Sequence, residues 1–273
     1  MKRVIPSSGE EIPAIGLGTW QTFDVGYRES QRINQKQVLK TLYEQGGRVV
    51  DSSPMYGRSE KVVGDLALDL GINQNLFMAT KVWTSGREAG ITQMNQSMAY
   101  MQANPMDLIQ VHNMLDCQTH LKTLRQWKEE GKVRYIGITH YTDSAHPELI
   151  RWIKRESLDF VQFNYSLFNR NAEKELLPLC QEKGVATLIN LPFGAGQFLH
   201  SVIHKPIPSL AIEMGCQTWG QFLLKYILGH PAVTCVIPGT SNPGHLLDNL
   251  KAGESVLPTE NQREEMRGAI NSF

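Results

Sequence analysis

Eight short apolar segments recur along the chain at nearly even spacing, and each ends at a polar residue, a glycine or a proline. Successive segments end 25 to 33 residues apart, except for a last interval of 48. Most show no alternation of apolar and polar residues, which is typical of parallel strands buried on both faces. The predicted strands are Ile15–Gly18, Arg48–Asp51, Leu76–Lys81, Asp107–His112, Tyr135–Thr139, Phe160–Asn164, Ala186–Asn190 and Val233–Pro238.

Amphipathic helical patterns lie between these segments. Three of them, Gln37–Gln45, Thr119–Glu130 and Glu173–Lys183, are each followed directly by a glycine. Apolar residues three to four positions apart and then a glycine are typical of a helix with a C-terminal glycine cap. Because one strand and one helix fill an interval of this size, the eight segments predict a (β/α)₈ TIM barrel, an α/β fold.

The segment before the first predicted strand is polar around Ser7–Glu10, and we predict an N-terminal hairpin that closes the bottom of the barrel. The alternative topology is an open doubly wound sheet. That fold favours a G-x-G-x-x-G sequence after an early strand, whereas Gly16-Leu17-Gly18 lacks the third glycine. The length of 273 residues suits one barrel, so we predict a single domain over residues 1–273.

Composition excludes several classes of protein. Lys plus Arg and Asp plus Glu number 27 each, which gives no support to nucleic-acid binding through a general basic field. The N-terminus lacks the apolar region of a secretory signal, and no stretch of ~20 apolar residues could cross a membrane. The four cysteines are scattered and form no C-x-x-C pair, which disfavours disulfides and a thiolate zinc site. We therefore expect a cytoplasmic monomer without nucleic-acid, membrane or metal partners.

Polar residues at the carboxyl ends of the predicted strands are the candidates for an active site, because catalytic residues of such barrels lie there. Asp51, Lys81 and His112 end the second, third and fourth strands, and Tyr56 follows Asp51 in a short loop. Taken singly, each has an ordinary explanation as a helix cap, a solvated lysine, a satisfied histidine or a packing residue. Because all four side chains converge on one end of the barrel, the mouth formed by the carboxyl ends of the strands, we interpret them as a catalytic group.

These four side chains have complementary chemistry. A tyrosine hydroxyl has an ordinary pKa of about 10, and a nearby lysine ammonium favours the phenolate and lowers that pKa. Asp51 can pair with a buried Lys81 and keep it charged. His112 can donate a hydrogen bond to a substrate oxygen. The group is therefore predicted to deliver a proton from Tyr56 to an oxygen that gains negative charge.

The chain resembles the aldo-keto reductase family over nearly its whole length. The matching stretches, in the family order, are Ile12–Trp20, Val50–Glu60, Ala79–Trp83, Gln110–His112, Gly131–Ile138, Val161–Ser166 and Val236–Asn242. The resemblance implies a barrel that binds a nicotinamide cofactor without a Rossmann motif. It also implies a catalytic tetrad of Asp51, Tyr56, Lys81 and His112, in which hydride passes from the nicotinamide to a carbonyl carbon and Tyr56 protonates the oxygen.

The same resemblance implies a set of cofactor contacts. Gln162 matches the glutamine that holds the carboxamide, and Pro192-Phe193-Gly194 matches the pyrophosphate loop. The predicted cofactor-binding residues are Thr19, Trp20, Asp51, Thr139, His140, Gln162, Asn190, Pro192, Phe193, Gly194, Gly239, Thr240, Ser241, His245 and Asn249.

The chain departs from the family pattern at five of these positions. Thr139 and His140 replace the usual serine and asparagine, although threonine can still donate as serine does. Asn190 replaces the aromatic ring that commonly stacks on the nicotinamide. Many relatives carry Lys and Arg at the positions of Gly239 and His245, where they grip the 2′-phosphate. Residues 239–241 are predicted to open a helix whose free N–H groups suit a phosphate, although an ordinary turn and helix cap would also explain them. NADP(H) is the favoured cofactor, with NAD(H) as the alternative.

Four residues near the mouth are predicted to bind substrate, namely Trp20, Trp83, Asn113 and Met114. Packing explains Trp83 and Met114 equally well. The resulting prediction is an oxidoreductase that reduces an aldehyde or ketone with NAD(P)H. The alternatives are a slow or non-catalytic cofactor-binding redox sensor on the same fold, and a barrel enzyme of other chemistry, such as a lyase.

Overall fold

Eight parallel strands surround the core in the computed structural model, which describes residues 1–254 and 256–270. Neighbouring strands follow chain order throughout. Parallel bridges from Ile15 to Val236 and from Gly18 to Gly239 join the first and last strands, so the barrel is nearly closed. The predicted (β/α)₈ barrel is confirmed. The single domain over residues 1–273 stays a prediction, and residues 255 and 271–273 lie outside the described part.

The strands match the predicted segments closely, with shorter first and last members. After the hairpin strands β1 and β2, the barrel strands are β3 (Leu17–Gly18), β4 (Val49–Asp51), β5 (Phe77–Val82), β6 (Met106–His112), β7 (Val133–Thr139), β8 (Phe160–Asn164), β9 (Ala186–Asn190) and β10 (Cys235–Val236). The last strand was predicted over Val233–Pro238, but only Cys235 and Val236 pair with β9. On its other edge, the backbone N–H of Val236 donates to the Ala14 carbonyl, because β10 closes the barrel beside the first strand.

The helices form the outer layer, and the sequence prediction found only part of them. They are α1 (Glu29–Glu44), α2 (Ser59–Asp69), α3 (Arg87–Met101), α4 (Cys117–Glu129), α5 (His146–Arg155), α6 (Leu176–Lys183), α7 (Gln197–Val202), α8 (Ser209–Glu213), α9 (Trp219–Leu228), α10 (Pro243–Lys251) and α11 (Glu260–Ile270). The predicted helix Gln37–Gln45 is the second half of α1. The predicted helix Glu173–Lys183 is interrupted, because a 3₁₀ turn at Asn171–Glu173 precedes α6.

The N-terminal hairpin closes the bottom of the barrel, as predicted. Strands β1 (Lys2–Val4) and β2 (Glu11–Pro13) pair antiparallel. Ile12 of β2 and Ile5, which follows β1, are buried in one cluster with Phe77, Leu108 and other residues of the lower barrel. Apolar burial of this kind contributes about 1.5–3 kcal/mol for each large side chain. The hairpin therefore seals the end of the barrel that lies opposite the candidate site.

The alternation of side chains along a strand determines what lies above this apolar layer. Residues two positions apart share a face, so Asp51 follows Val49 into the barrel, and Lys81 follows Ala79. The interior is therefore apolar at its base and becomes polar at the carboxyl ends of the strands. All four cysteines are buried. None of the helices in the described residues is long and apolar enough to span a membrane.

Candidate active site

An ion pair between Lys81 and Asp51 lies at the centre of the upper barrel. The Lys81 Nζ donates to Asp51 Oδ2 at 2.7 Å and to the Ser52 carbonyl at 2.7 Å, and the lysine is fully buried. Burial works against the charged lysine, but the opposite charge of Asp51 and the nearby Tyr56 raise the pKa of Lys81. Strands β4 and β5 are adjacent in the sheet, so the predicted pairing follows from the register.

Two glutamines hold the other oxygen of Asp51. Gln162 Nε2 donates to Asp51 Oδ1 at 3.0 Å, and Gln110 Nε2 lies 3.4 Å from the same oxygen. Thr139 Oγ1 donates in turn to Gln162 Oε1 at 3.0 Å. This chain of hydrogen bonds links β4, β6, β7 and β8. It fixes the carboxylate that keeps Lys81 charged in a buried position.

Tyr56 lies on the loop after β4, with its ring near both Lys81 and His112. The Lys81 Nζ is 5.1 Å from the centre of the Tyr56 ring, and the rings of Tyr56 and His112 meet edge to face with centroids 6.1 Å apart. Burial raises the pKa of Tyr56, while the charge of Lys81 lowers it. Lys81 therefore acts as predicted, but its effect is smaller than that of burial, so the net shift is upward.

His112 ends β6 and faces Ser53 on the neighbouring loop. Its Nδ1 lies 3.2 Å from Ser53 Oγ, which also accepts the backbone N–H of Met55 at 3.2 Å. Burial lowers the pKa of His112 to about 3, with help from the positive charge of Lys81. The imidazole is therefore neutral at physiological pH, and a neutral imidazole can donate a hydrogen bond only from one nitrogen.

The predicted cofactor residues at the ends of β7 and β9 also lie together. His140 Nδ1 accepts from the backbone N–H of Tyr141 at 2.9 Å and from that of Thr142 at 3.3 Å. These bonds place the remaining ring hydrogen on Nε2. Asn190 Nδ2 donates to the His140 carbonyl at 3.2 Å, while Asn190 Oδ1 is buried without a hydrogen-bond partner in the described part of the chain.

A turn of unusual backbone follows Asn190. Leu191, Gly194 and Ala195 all have positive φ angles of 49°, 56° and 57°. A Cβ atom at Gly194 would lie 2.3 Å from the Phe168 ring, so only glycine fits there. The predicted Pro192-Phe193-Gly194 turn therefore has a tightly packed backbone directly after β9, with Pro192 buried and Phe193 half-buried.

The predicted phosphate site after the last strand differs from the prediction. Residues 239–241 do not open the helix, because α10 begins at Pro243 and Asn242 caps it. The Asn242 Oδ1 accepts the N–H groups of Gly244 at 2.8 Å and His245 at 3.4 Å. Those N–H groups are thus already satisfied. Thr240 and Asn249 are buried, whereas Gly239, Ser241 and His245 are exposed.

The four predicted substrate residues fall into two groups. Trp20 and Trp83 are 50% and 38% exposed, so both rings are available to a ligand. Met114 is buried in the main apolar core, which favours the packing explanation for this residue. Asn113 follows His112 in a left-handed conformation (φ 52°), and its Oδ1 is buried without a hydrogen-bond partner in the described residues.

Sequence reasoning missed three residues of this site. Gln110 precedes His112 by two positions and therefore shares its strand face, a signal that was available. Ser53 lies inside a matched stretch, but its contact with His112 joins two separate strands. Glu60, at the start of α2, is buried, accepts a hydrogen bond from Thr80, and has its pKa raised by burial. Its burial could not be read from a helix start.

Comparisons with known proteins agree with this geometry. The sequence pattern of the Aldo/keto reductase family matches residues 14–267. The chain is 25% identical over 256 residues to an Escherichia coli K12 protein named methylglyoxal reductase YeaE, covering 91% of this chain and 88% of that protein. It is 24% identical over 300 residues to an uncharacterized Bacillus subtilis oxidoreductase, YqkF, covering 96% and 94%.

A solved structure shares the fold. An aldo/keto reductase from Klebsiella pneumoniae, in complex with NADP and acetate, superposes with a TM-score of 0.82 at 23% identity, covering 98% of this chain and 95% of that one. The family pattern spans nearly the whole chain, so the family assignment does not depend on these pairwise comparisons. The chain belongs to the aldo/keto reductase family.

Proposed function

We propose that this protein reduces an aldehyde or ketone with NADPH, with Tyr56 as the general acid. The observation that carries the proposal is the buried Lys81–Asp51 pair, at 2.7 Å, directly beside the Tyr56 ring. A fully buried lysine is costly unless it is paired, and structural needs alone do not favour one at a strand end. Here its charge acts on the Tyr56 hydroxyl, which can supply a proton.

The residues at the mouth fit a nicotinamide cofactor. Asn190 Oδ1, at the end of β9, is buried without a hydrogen-bond partner in the described residues, and it could accept a carboxamide N–H. Gln162 retains one free N–H and one free lone pair after its bonds to Asp51 and Thr139. Backbone at the Pro192–Gly194 turn can approach a diphosphate. When bound, the reduced nicotinamide supplies the hydride.

Tyr56 would deliver the proton to the carbonyl oxygen as that oxygen gains charge. Because the pKa of Tyr56 lies above its ordinary value, the hydroxyl keeps its proton at neutral pH and is ready to donate it. Lys81 stabilises the phenolate that remains after transfer. Asp51, held by two glutamines, keeps the lysine charged and in position. General acid catalysis of this kind contributes about 10²–10⁴-fold.

His112 would orient the substrate rather than exchange a proton. Its pKa of about 3 keeps the ring neutral. We assign the ring hydrogen to Nε2, because the Ser53 hydroxyl can donate to Nδ1 while its oxygen accepts from Met55. The Nε2–H then donates to the carbonyl oxygen and stabilises its developing charge.

NADPH is the favoured cofactor, and the structure gives a reason to expect modest discrimination. The Klebsiella relative is titled as a complex with NADP, which supports NADPH by analogy. The positions of Gly239 and His245 carry no lysine or arginine. Asn242 Oδ1 already accepts hydrogen bonds from two backbone N–H groups at the start of α10. Few strong donors remain for a 2′-phosphate. NADH use therefore stays the alternative.

The substrate class is a small carbonyl compound with an apolar part. Trp20 and Trp83 offer exposed rings at the mouth, and such rings bind apolar groups. The name of the Escherichia coli relative points to methylglyoxal. Methylglyoxal and an aromatic aldehyde are therefore the two substrates to test first.

The test is steady-state oxidation of NADPH by the wild-type protein and by Tyr56→Phe. We expect turnover with the wild type and a loss of about 10²–10⁴-fold in the variant, with NADPH binding nearly unchanged because the ring remains. Tyr100→Phe, on an exposed tyrosine of α3, is the matched control. Wild-type turnover that is negligible with both substrates would favour a redox sensor. A fully active Tyr56→Phe would remove the tyrosine from the mechanism.

A further inference from the structure

The backbone of Trp83 leaves the sheet differently from the backbone at other strand ends. At three of those ends, the first residue beyond the strand donates its N–H to a carbonyl of the neighbouring strand. These bonds run from Thr19 to Asp51, from Ser52 to Ala79 and from His140 to Gln162, at 3.1, 2.9 and 3.0 Å. The N–H of Trp83, directly after β5, donates instead to the side-chain oxygen Oε1 of Gln93, at 2.6 Å. A side chain of α3 therefore takes the place of the neighbouring strand here.

The Gln93 amide binds both backbone polar groups of Trp83. Its Oε1 accepts the N–H, and its Nε2 donates to the Trp83 carbonyl at 3.2 Å. Side chains of a helix tilt toward its N-terminus, and Gln93 lies in the second turn of α3, so it reaches back to the loop before that helix. Because hydrogen bonds are directional, two bonds from one planar amide fix both the position and the direction of this backbone segment.

The rest of the loop between β5 and α3 has separate supports. The Thr84 carbonyl accepts from His120 Nε2 at 2.7 Å, and the Gly86 N–H donates to Asp116 Oδ2 at 2.7 Å. Both partners belong to α4 or its N-cap. Loss of the Gln93 amide would therefore release the tryptophan and leave the remainder of the loop anchored.

The ring of Trp83 is 38% exposed, so a ligand can reach it. Trp83 lies two positions after Lys81, and residues two positions apart share a face of a strand. This spacing puts the tryptophan on the side of the tetrad lysine at the end of β5. An indole prefers defined stacked or edge-to-face arrangements with another aromatic ring. Holding the ring in place before a ligand arrives lowers the entropy lost on binding.

We propose that Gln93 is a positioning residue, which holds Trp83 so that its indole favours carbonyl substrates with an aromatic group. The inference rests on the proposed function for the reaction and adds an origin for substrate preference. A carbonyl compound without a ring, such as methylglyoxal, gains little from a fixed indole. Gln93 acts through the tryptophan and leaves Tyr56 and Lys81 in place, so its effect belongs in KM rather than in kcat.

The test compares benzaldehyde with methylglyoxal in steady-state NADPH oxidation by the wild type and by Gln93→Met. Methionine keeps the length and helix propensity of glutamine but lacks the amide. We expect the KM for benzaldehyde to rise about 3- to 10-fold, the range of one aromatic contact. The preference for benzaldehyde over methylglyoxal should fall by a similar factor. Gln96→Met, at an exposed glutamine of the same helix, is the matched control and should behave like the wild type.

A binding measurement separates this inference from the proposed function. Benzamide carries the aromatic ring but is not reduced as an aldehyde is. Its dissociation constant is measured with NADP⁺ present, from the indole ¹⁵N–¹H resonance of Trp83. Benzamide should bind Gln93→Met about 3- to 10-fold more weakly than the wild type. If the wild type reduces no carbonyl compound, the proposed function fails, and this measurement still decides the role of Gln93.

Gln93→Glu supplies a second variant in case Gln93→Met fails to fold. It keeps an oxygen for the Trp83 N–H and loses the donor to the Trp83 carbonyl, so the KM for benzaldehyde should rise only about 2- to 3-fold. An equal rise in KM for both substrates, or a fall in kcat with KM unchanged, would overturn the proposal. Benzamide binding that is absent in the wild type, or equally strong in Gln93→Met, would overturn it as well.

Discussion

Ser53 Oγ lies 3.2 Å from His112 Nδ1, and we infer that this contact sets the tautomer of the imidazole. Ser53 is fully buried on the loop after β4, while His112 ends β6. A hydroxyl that accepts from Met55 can donate its own hydrogen to Nδ1. The ring hydrogen then belongs on Nε2, where it can act on a carbonyl oxygen.

Replacing Ser53 with alanine should therefore disturb the histidine without touching the proton donor. We expect kcat to fall about 2- to 10-fold, the range of one hydrogen bond. The ¹⁵N resonances of His112 should change from the Nε2–H tautomer to a mixture. Ser30→Ala, at an exposed serine, is the control. A variant whose tautomer and kcat match the wild type would show that Ser53 does not position His112.

The neutrality of His112 leads to a prediction about pH. Because its pKa is lowered to about 3, the ring stays uncharged throughout the range where the protein can be assayed. The kcat/KM for carbonyl reduction should show no inflection between pH 5 and pH 8 from this residue, although an ordinary histidine titrates there at about 6.5. An NMR titration of His112 gives the direct measurement. Protonation near pH 6 would contradict the assignment.

Lys81→Met should lower kcat and shift the alkaline limb of the pH profile upward. The lysine charge lowers the pKa of Tyr56 against the effect of burial, so its removal leaves a weaker acid with a higher pKa. Asp51→Asn should act in the same direction but more mildly, because it loosens the lysine without removing it. Identical pH profiles for Lys81→Met and wild type would disprove this electrostatic account.

His245→Arg should increase the preference for NADPH over NADH. The wild type should favour NADPH by no more than about 100-fold, since dipole and hydrogen-bond contributions of ~0.3–1 kcal/mol each remain. An arginine at this exposed position adds a charge-assisted contact to the 2′-phosphate and should raise the ratio of kcat/KM values about tenfold. Equal or better use of NADH by the wild type would reverse the cofactor proposal.

Arg263→Met should destabilise the protein by about 3–5 kcal/mol, because it removes one partner of a buried ion pair. Arg263 Nη2 donates to Glu173 Oε1 at 2.6 Å and to Tyr165 OH at 2.7 Å, and its side chain is 3% exposed. Urea unfolding measures the loss. Lys154→Met breaks the exposed pair with Glu175 and should cost less than about 1 kcal/mol.

The same contact should make stability depend on pH in the acid range. Burial opposes the ionisation of Glu173, but hydrogen bonds from Tyr165 and Tyr226 and the charges of two arginines lower its pKa. A carboxyl with a lowered pKa in the folded state stabilises the protein above its unfolded value, about 4.3, and that contribution is lost as pH falls through the folded value. The difference between wild type and Arg263→Met should shrink below pH 4. A constant difference would exclude Glu173 as its origin.

The sequence by itself determined the barrel and brought Asp51, Lys81 and His112 to one end of it. The apolar segments are evenly spaced and show no alternation with polar residues, and few topologies other than a parallel barrel fit that pattern. A parallel barrel brings the carboxyl ends of all its strands to one face. Asp51, Lys81 and His112 lie at the carboxyl ends of successive strands, so their proximity follows from local pattern and strand order. The closing hairpin was also predictable, because a polar turn precedes the first strand.

Only the tertiary structure decided the electrostatics and the contacts between distant loops. Whether burial or Lys81 dominates the pKa of Tyr56 depends on desolvation, which a linear sequence does not encode. The bonds from Ser53 to His112 and from Asn242 to the start of α10 required the actual side-chain directions.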